Sequence, residues 1–317
     1  MTRPNSSVTQ VSAPALGVPS PAGARPTIKT RGLSGIYSAP PLHWVGDGFR
    51  VAGYLSQIPD AVRQLSPFLL LDYHPPYEYP PTRRARGVGV HPHRGFETVT
   101  LAWQGSVAHH DSAGGGGVIG PGDAQWMTAA SGVLHKEYHE QNFAERGGVF
   151  HMAQLWVNLP RAHRMAPPRY QGILASDMGR VDLPHAAGSV RILAGEYGNA
   201  RGPAKTFTPI SIFDLTLTAR GSADFTIPSK HNLAALIMQG NVRLNDAPAR
   251  EMDFAVFAND GDRLHIEADS DAQVLLLGGE PIDEPVVQYG PFVMNTEPEI
   301  LEAFRDFSSG RFGHLAD

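Results

Sequence analysis

From Gly32 onward the chain is written in short apolar runs broken by turn residues, the pattern of many short strands rather than long helices. Residues 97–103 are the clearest case: Val99, Leu101 and Trp103 fall on one face, Thr98, Thr100 and Ala102 on the other. Gln104-Gly105 ends that strand. Gly114 to Gly117 reads as a flexible hairpin loop, and Gly120-Pro121-Gly122-Asp123 as a tight turn into a strand over residues 124–128. Residues 149–159 form another strand-like run closed by Pro160, and a polar stretch over residues 161–170 reads as a linker. Strands resume at residues 190–194 and recur at 210–217, 233–238, 254–257 and 274–277. The second half repeats the rhythm of the first, which predicts two similar β domains. One helix stands out near the end. Thr296-Glu297-Pro298-Glu299 fits a capping box with Pro in the first turn, and Ile300, Leu301, Phe304 and Phe307 form an apolar stripe that would dock on a barrel.

Composition narrows the partners. The chain has 317 residues, 42% hydrophobic and 18% charged, with 34 Gly and 27 Pro, which describes a soluble, turn-rich globular protein. A net charge of −5 argues against direct binding to nucleic acid, and Arg83, Arg84 and Arg86 read as a solvated loop. The absence of Cys excludes disulfides, thiolate nucleophiles and thiolate metal sites, and fits a reducing compartment such as the cytoplasm. No apolar run approaches the roughly 18 residues of a membrane span. Residues 1–31 are rich in Ser, Ala, Pro and Gly, and the first acidic residue is Asp47. Prolines would break any amphipathic transit helix there, so a disordered extension is expected.

The chemistry concentrates in two strings, His91-Pro92-His93 and His135-Lys136-Glu137. Each places two ligating side chains at i and i+2, which a strand aims to one side. Two such strands facing each other inside a barrel supply three imidazoles and one carboxylate, a set that suits a borderline transition metal such as iron. The chain has 14 His, eight of them between His91 and His163. Of these, His109, His110, His139, His151 and His163 lack the doubled spacing and read mostly as hydrogen-bonded core or surface residues. The glycines at 114–117 lack the Lys-Ser/Thr and helix of a phosphate cradle.

These residues carry a resemblance. His91-Pro92-His93-Arg94-Gly95-Phe96-Glu97 resembles the first cupin motif, H-x-H-x3-E, in the form used by the pirin family. Pro121-Gly122-Asp123-Ala124-Gln125-Trp126-Met127-Thr128-Ala129 with Gly132-Val133-Leu134-His135-Lys136-Glu137 resembles the pirin version of the second. Gln154-Leu155-Trp156-Val157-Asn158-Leu159-Pro160 and Glu284-Pro285-Val286-Val287-Gln288-Tyr289-Gly290-Pro291-Phe292 are similar to further pirin strings. The turn Ala130-Ser131-Gly132 and the glycine-rich loop depart from the family's usual form, without touching a ligand.

The resemblance implies an all-β bicupin: two antiparallel cupin β-barrels of the jelly-roll type with a short C-terminal helix. Residues 32–168 would form the metal-binding barrel, and residues 169–317 a second barrel without metal, including the helix. The family's iron ligands fall on His91, His93, His135 and Glu137, with one iron per chain and other divalent transition metals as alternatives. Glu97 would sit behind the ligands or be satisfied on the inner face. Four ligands close a tetrahedral zinc site but leave an octahedral iron with open positions for dioxygen. The implied activity is that of a quercetin 2,3-dioxygenase, which cleaves a flavonol with O2 and releases carbon monoxide, with Glu137 as both ligand and base. Phe96, Trp103, Trp126 and Met127 would line an apolar pocket or fill the barrel core. The alternative implied role is an iron-dependent transcriptional co-regulator or modulator of a partner protein. A monomer suffices to bury both cores.

Overall fold

The computed structural model of the chain describes residues 29–316. It consists of two β-barrels, each built from a seven-stranded and a four-stranded sheet, and the paired strands are antiparallel. In the first barrel the large sheet runs in the order Arg169–Ile173, Ala124–Thr128, Phe96–Gln104, Gly148–Asn158, Phe68–Tyr79, Phe49–Gly53, His43–Val45. Its small sheet runs Gly87–His93, Val133–His139, Val107–Asp111, Gly116–Ile119. The bicupin expectation holds, and the strands at 124–128, 210–217 and 254–257 have the expected bounds.

Alternation decides what each face does. Val99, Leu101, Leu155 and Val157 turn outward from the first barrel and meet Ile212, Leu236, Val256 and Leu275 of the second in one buried cluster. Inside the second barrel the opposite faces contribute Ile192, Phe213, Leu215, Ile237, Val274 and Leu276, an aliphatic and aromatic filling. Inside the first, the corresponding positions carry Thr100, Gln125 and Gln154, which hydrogen-bond a carboxylate. The first barrel is therefore the one built to hold something polar.

The two units exchange their ends. The strand Leu33–Tyr37, expected in the first unit, pairs with Phe254–Phe257 of the second and covers that sheet edge. Residues 1–28 of the expected extension lie outside the described residues, but Arg31 is fully buried. Its guanidinium donates to the carbonyls of Gly261, His231 and Pro228 at 2.7–2.8 Å, tying the chain to the second barrel. In the other direction, Arg169–Ile173 pairs with Ala124–Thr128, so the first sheet continues past residue 168.

The helix Glu297–Ser308 has the expected capping box and docks on the first barrel. Asp306 meets buried Arg94 at 2.9 Å, and Phe292, Ile300 and Ala303 pack in a cluster against Leu134. The expected stripe is shifted: Ala303 and Asp306 are buried while Leu301 is 62% exposed, because the docking face is organised around Arg94. Among the described residues no helix is long and apolar enough to cross a membrane.

Candidate metal centre

The small sheet of the first barrel sets the register of the candidate ligands. His135 lies directly opposite His91 on one side and Asp111 on the other. A bulge between His135 and Glu137 shifts the pairing with the His91 strand, while on the other side Glu137 faces His109. The rings of His91, His93 and His135 converge, with centroids 4.2–4.8 Å apart. Their ligating atoms form one group within 4.8 Å, and those of His109, His135 and Glu137 form a second. His135 belongs to both. Thus the four residues singled out by spacing come together in two overlapping groups, with His109 as an addition. Both groups found among the described residues lie in the first barrel.

Hydrogen bonds fix the tautomers of His91 and His93. Nδ1 of His91 is 2.8 Å from the Gly89 carbonyl, and Nδ1 of His93 is 3.3 Å from that of Pro291. A carbonyl only accepts, so each Nδ1 must carry the proton and each Nε2 keeps a free lone pair. Nδ1 of His135 is 3.5 Å from Nδ1 of His109, and its Nε2 is buried with no hydrogen-bond partner. A buried imidazole nitrogen without a partner is costly unless something else occupies it. Burial, followed by the neighbouring imidazoles, holds His135 well below the usual histidine range and lowers His93 to about 3. Converging imidazoles, one with a buried unpartnered Nε2, beside a carboxylate fit a divalent transition metal.

Glu137 is held on several sides. Gln154 donates to Oε2 at 2.8 Å, Thr100 to Oε1 at 3.1 Å, and Gln125 also donates to Oε1. Burial alone would raise its carboxyl, but His109 and Gln154 outweigh that and lower it. His109 lies between two carboxylates, 3.6 Å from Asp111 and 3.8 Å from Glu137, which raise its imidazole against the effect of burial. Tyr170 stacks on His109 at 5.0 Å and donates to Gln125 at 3.2 Å. Asp111 itself is fixed by the backbone amides of Ala113 and Gly115, so the glycine loop serves as a hairpin that orients it.

Several expectations need correction. Glu97 does not stand behind the ligands. It shares the outward face of its strand with Val99, accepts from Thr128 at 2.6 Å and lies 3.8 Å from Arg169. Of the four proposed pocket residues only Phe96 flanks the histidines, 4.9 Å from His93. Trp103 donates to Asp214 across the barrel interface and Trp126 belongs to the same interface, whereas Met127, on the face of Gln125, packs with Ala129 and Val133 as the barrel-core alternative had it. Trp156 was missed: its ring lies 4.2 Å from that of Phe96, tilted by 32°, and 5.1 Å from that of His93. Thr100 is on the face the alternation assigned to it. Gln125 and Gln154 sat inside strings already singled out, and strand parity places them inward.

Family comparison agrees with this geometry. The pirin profile matches residues 48–157, and that of the pirin C-terminal cupin domain matches residues 212–313. The chain belongs to the pirin family, within the cupin superfamily. A Pseudomonas aeruginosa protein named "Putative quercetin 2,3-dioxygenase" is 50% identical to this pirin over 278 residues, 88% of this chain and 97% of that one. A pirin-like protein of Solanum lycopersicum is 37% identical over 256 residues, 80% of this chain and 84% of that one. The crystal structure of a quercetin 2,3-dioxygenase from Acinetobacter baumannii matches this pirin with a TM-score of 0.87 at 44% identity, covering 91% of this chain and all of that one.

Proposed function

We propose that this pirin is a metal-dependent dioxygenase that opens a flavonol of the quercetin type with O2 and releases carbon monoxide. The observation that carries the proposal is the convergence of three imidazoles, His91 and His93 with Nε2 lone pairs free and His135 with its buried Nε2 unpartnered, beside a buried carboxylate in the polar barrel. The names of the Pseudomonas and Acinetobacter relatives agree with it. His91, His93, His135 and Glu137 would hold iron, one per chain, in the reducing setting that a chain without Cys suits. When bound, the metal supplies Lewis-acid polarisation of the substrate oxygen and redox chemistry with dioxygen.

The protein's own residues supply the rest. Glu137, ionised at neutral pH, accepts the proton of the flavonol 3-hydroxyl at one of its oxygens. Gln154, Gln125 and Thr100 keep that carboxylate from swinging away as the proton arrives. Phe96 and Trp156 beside His93 offer flat apolar surface to an aromatic substrate and keep water off that side. His109, 3.6 Å from Asp111 and 3.8 Å from Glu137, sets the charge next to the base.

The test is metal analysis joined to an assay. Iron-loaded protein with quercetin in air should consume flavonol and oxygen in step and release carbon monoxide, and His135→Ala should lose both metal and turnover. Absence of turnover with every first-row divalent metal, on protein that has bound one equivalent, would overturn the proposal.

A further inference from the structure

A cavity of about 610 Å³ opens beside the first barrel, at the end of the strand Phe68–Tyr79, under the loop around Pro41 and the short helical turns Leu55–Gln57 and Ala61–Gln64. None of the candidate metal ligands lines it. Its walls are mostly apolar, with Leu55, Val62 and Leu70 among them, and Asp72 supplies its carboxylate. That carboxylate has neither a hydrogen-bond donor nor an ion-pair partner among the described residues. His43 also lines the space without pairing to it, and Ser56 turns its hydroxyl to the Gly53 carbonyl at 3.0 Å.

Two further observations say that the carboxylate is left open by construction. Gly53 stands opposite Asp72 in the strand ladder, and a Cβ at Gly53 would come within 3.1 Å of Asp72 Oδ1. Burial pushes the Asp72 carboxyl up to about 6, with the charge of His43 pulling the other way. At neutral pH it is therefore mostly ionised, with the His43 imidazole nearby but not paired to it. An ionised carboxylate only accepts hydrogen bonds, so whatever satisfies it must donate, and a cation satisfies it best.

We propose that this cavity binds a small ligand carrying an ammonium group on an apolar body, with the Asp72 carboxylate as counter-ion and the Leu55, Val62 and Leu70 side chains as the seat for the body. The volume falls in the range of small-ligand sites, and the proportion of one charge to an apolar wall is typical of them. The candidate ligands do not line the cavity, but it adjoins their barrel face. Asp72 lies directly opposite Gln154 in the ladder, and Gln154 holds Glu137.

The probe is benzylammonium, titrated calorimetrically into the metal-loaded full chain, with benzyl alcohol as the neutral match. Benzylammonium should bind saturably and at least tenfold more tightly than benzyl alcohol. Asp72→Asn, which keeps the side-chain shape, should erase that difference. Val62→Trp, introduced from a position that is 44% exposed, should fill the space and weaken both ligands. In methyl-labelled protein the shifts should concentrate on Leu55 and residues 69–71. Equal affinity for the two probes, unchanged binding in Asp72→Asn, shifts centred elsewhere, or no saturable binding to the wild-type chain would each overturn the proposal.

Discussion

Nδ1 of His93 lies 3.3 Å from the carbonyl of Pro291, so a residue near the end of the chain orients an imidazole of the candidate metal centre. The contact belongs to a longer seam. Gly95 and Val293 are brought together by Arg164, which is buried and donates to both carbonyls at 2.9 and 3.0 Å. The amide of Val293 donates to the Arg94 carbonyl at 3.0 Å. The C-terminal segment is thus part of the wall behind the ligands rather than an appendage.

Gly95 tests that seam. Its φ is +90°, and a Cβ there would fall 1.8 Å from the Val293 carbonyl oxygen. Gly95→Ala therefore meets both a strained backbone and a backbone clash. It should destabilise the fold by on the order of 3 kcal/mol in denaturant titration. The variant should also bind metal more weakly, because the Pro291 carbonyl moves away from His93. Loss of stability with unchanged metal affinity would separate the seam from the site.

Gln154→Leu removes one donor from Glu137 without touching an imidazole. The expected result is one equivalent of metal still bound, with affinity reduced roughly 10- to 100-fold, the usual scale for groups that orient a ligand. Competition against a chelator measures it. An unchanged affinity would mean that Thr100 and Gln125 hold the carboxylate by themselves.

His109 calls for a different result. Its two ring nitrogens each face a carboxylate, Asp111 at 3.6 Å and Glu137 at 3.8 Å, so the expectation is that it sets the charge beside Glu137 rather than ligating. His109→Asn should keep one metal per chain, while His135→Ala should fall to a small fraction of an equivalent by elemental analysis. If both variants lose the metal alike, His109 is a ligand and the group it forms with His135 and Glu137 is the true site.

The parts of this arrangement that were legible in the sequence are those governed by local rules. The i, i+2 spacing of His91 with His93 and of His135 with Glu137 depends only on strand alternation, and so does the placing of Thr100 on the face opposite Val99. The helix start at Thr296 was readable because a capping box is a local device. What was not legible depends on pairing between distant strands. Nothing near Leu33 says that it will cover the edge at Phe257, and nothing near Pro291 says that its carbonyl will reach His93. Gln125 and Gln154 are ordinary carboxamides until register brings them to one carboxylate. Glu97 was misplaced because the cupin motif suggested a site carboxylate, while parity with Val99 already put it on the other face.

That placement makes Glu97 a pH-dependent element of the outward face of the first sheet. It is 1% exposed, and burial raises its carboxyl to about 7, with Thr128 and Arg169 pulling it down. A folded-state value above the unfolded one means that the folded chain binds more protons between about pH 4.5 and 7. Its contribution to stability is therefore present below the unfolded value and lost as pH rises through about 7. Glu97→Gln removes the titration but keeps an acceptor for Thr128. Relative to wild type, the variant should gain on the order of 3 kcal/mol in unfolding free energy between pH 4.5 and 8. Denaturant titrations of both proteins at the two pH values measure the difference. A gap that does not widen with pH would mean that Arg169, 3.8 Å away, already neutralises the buried charge.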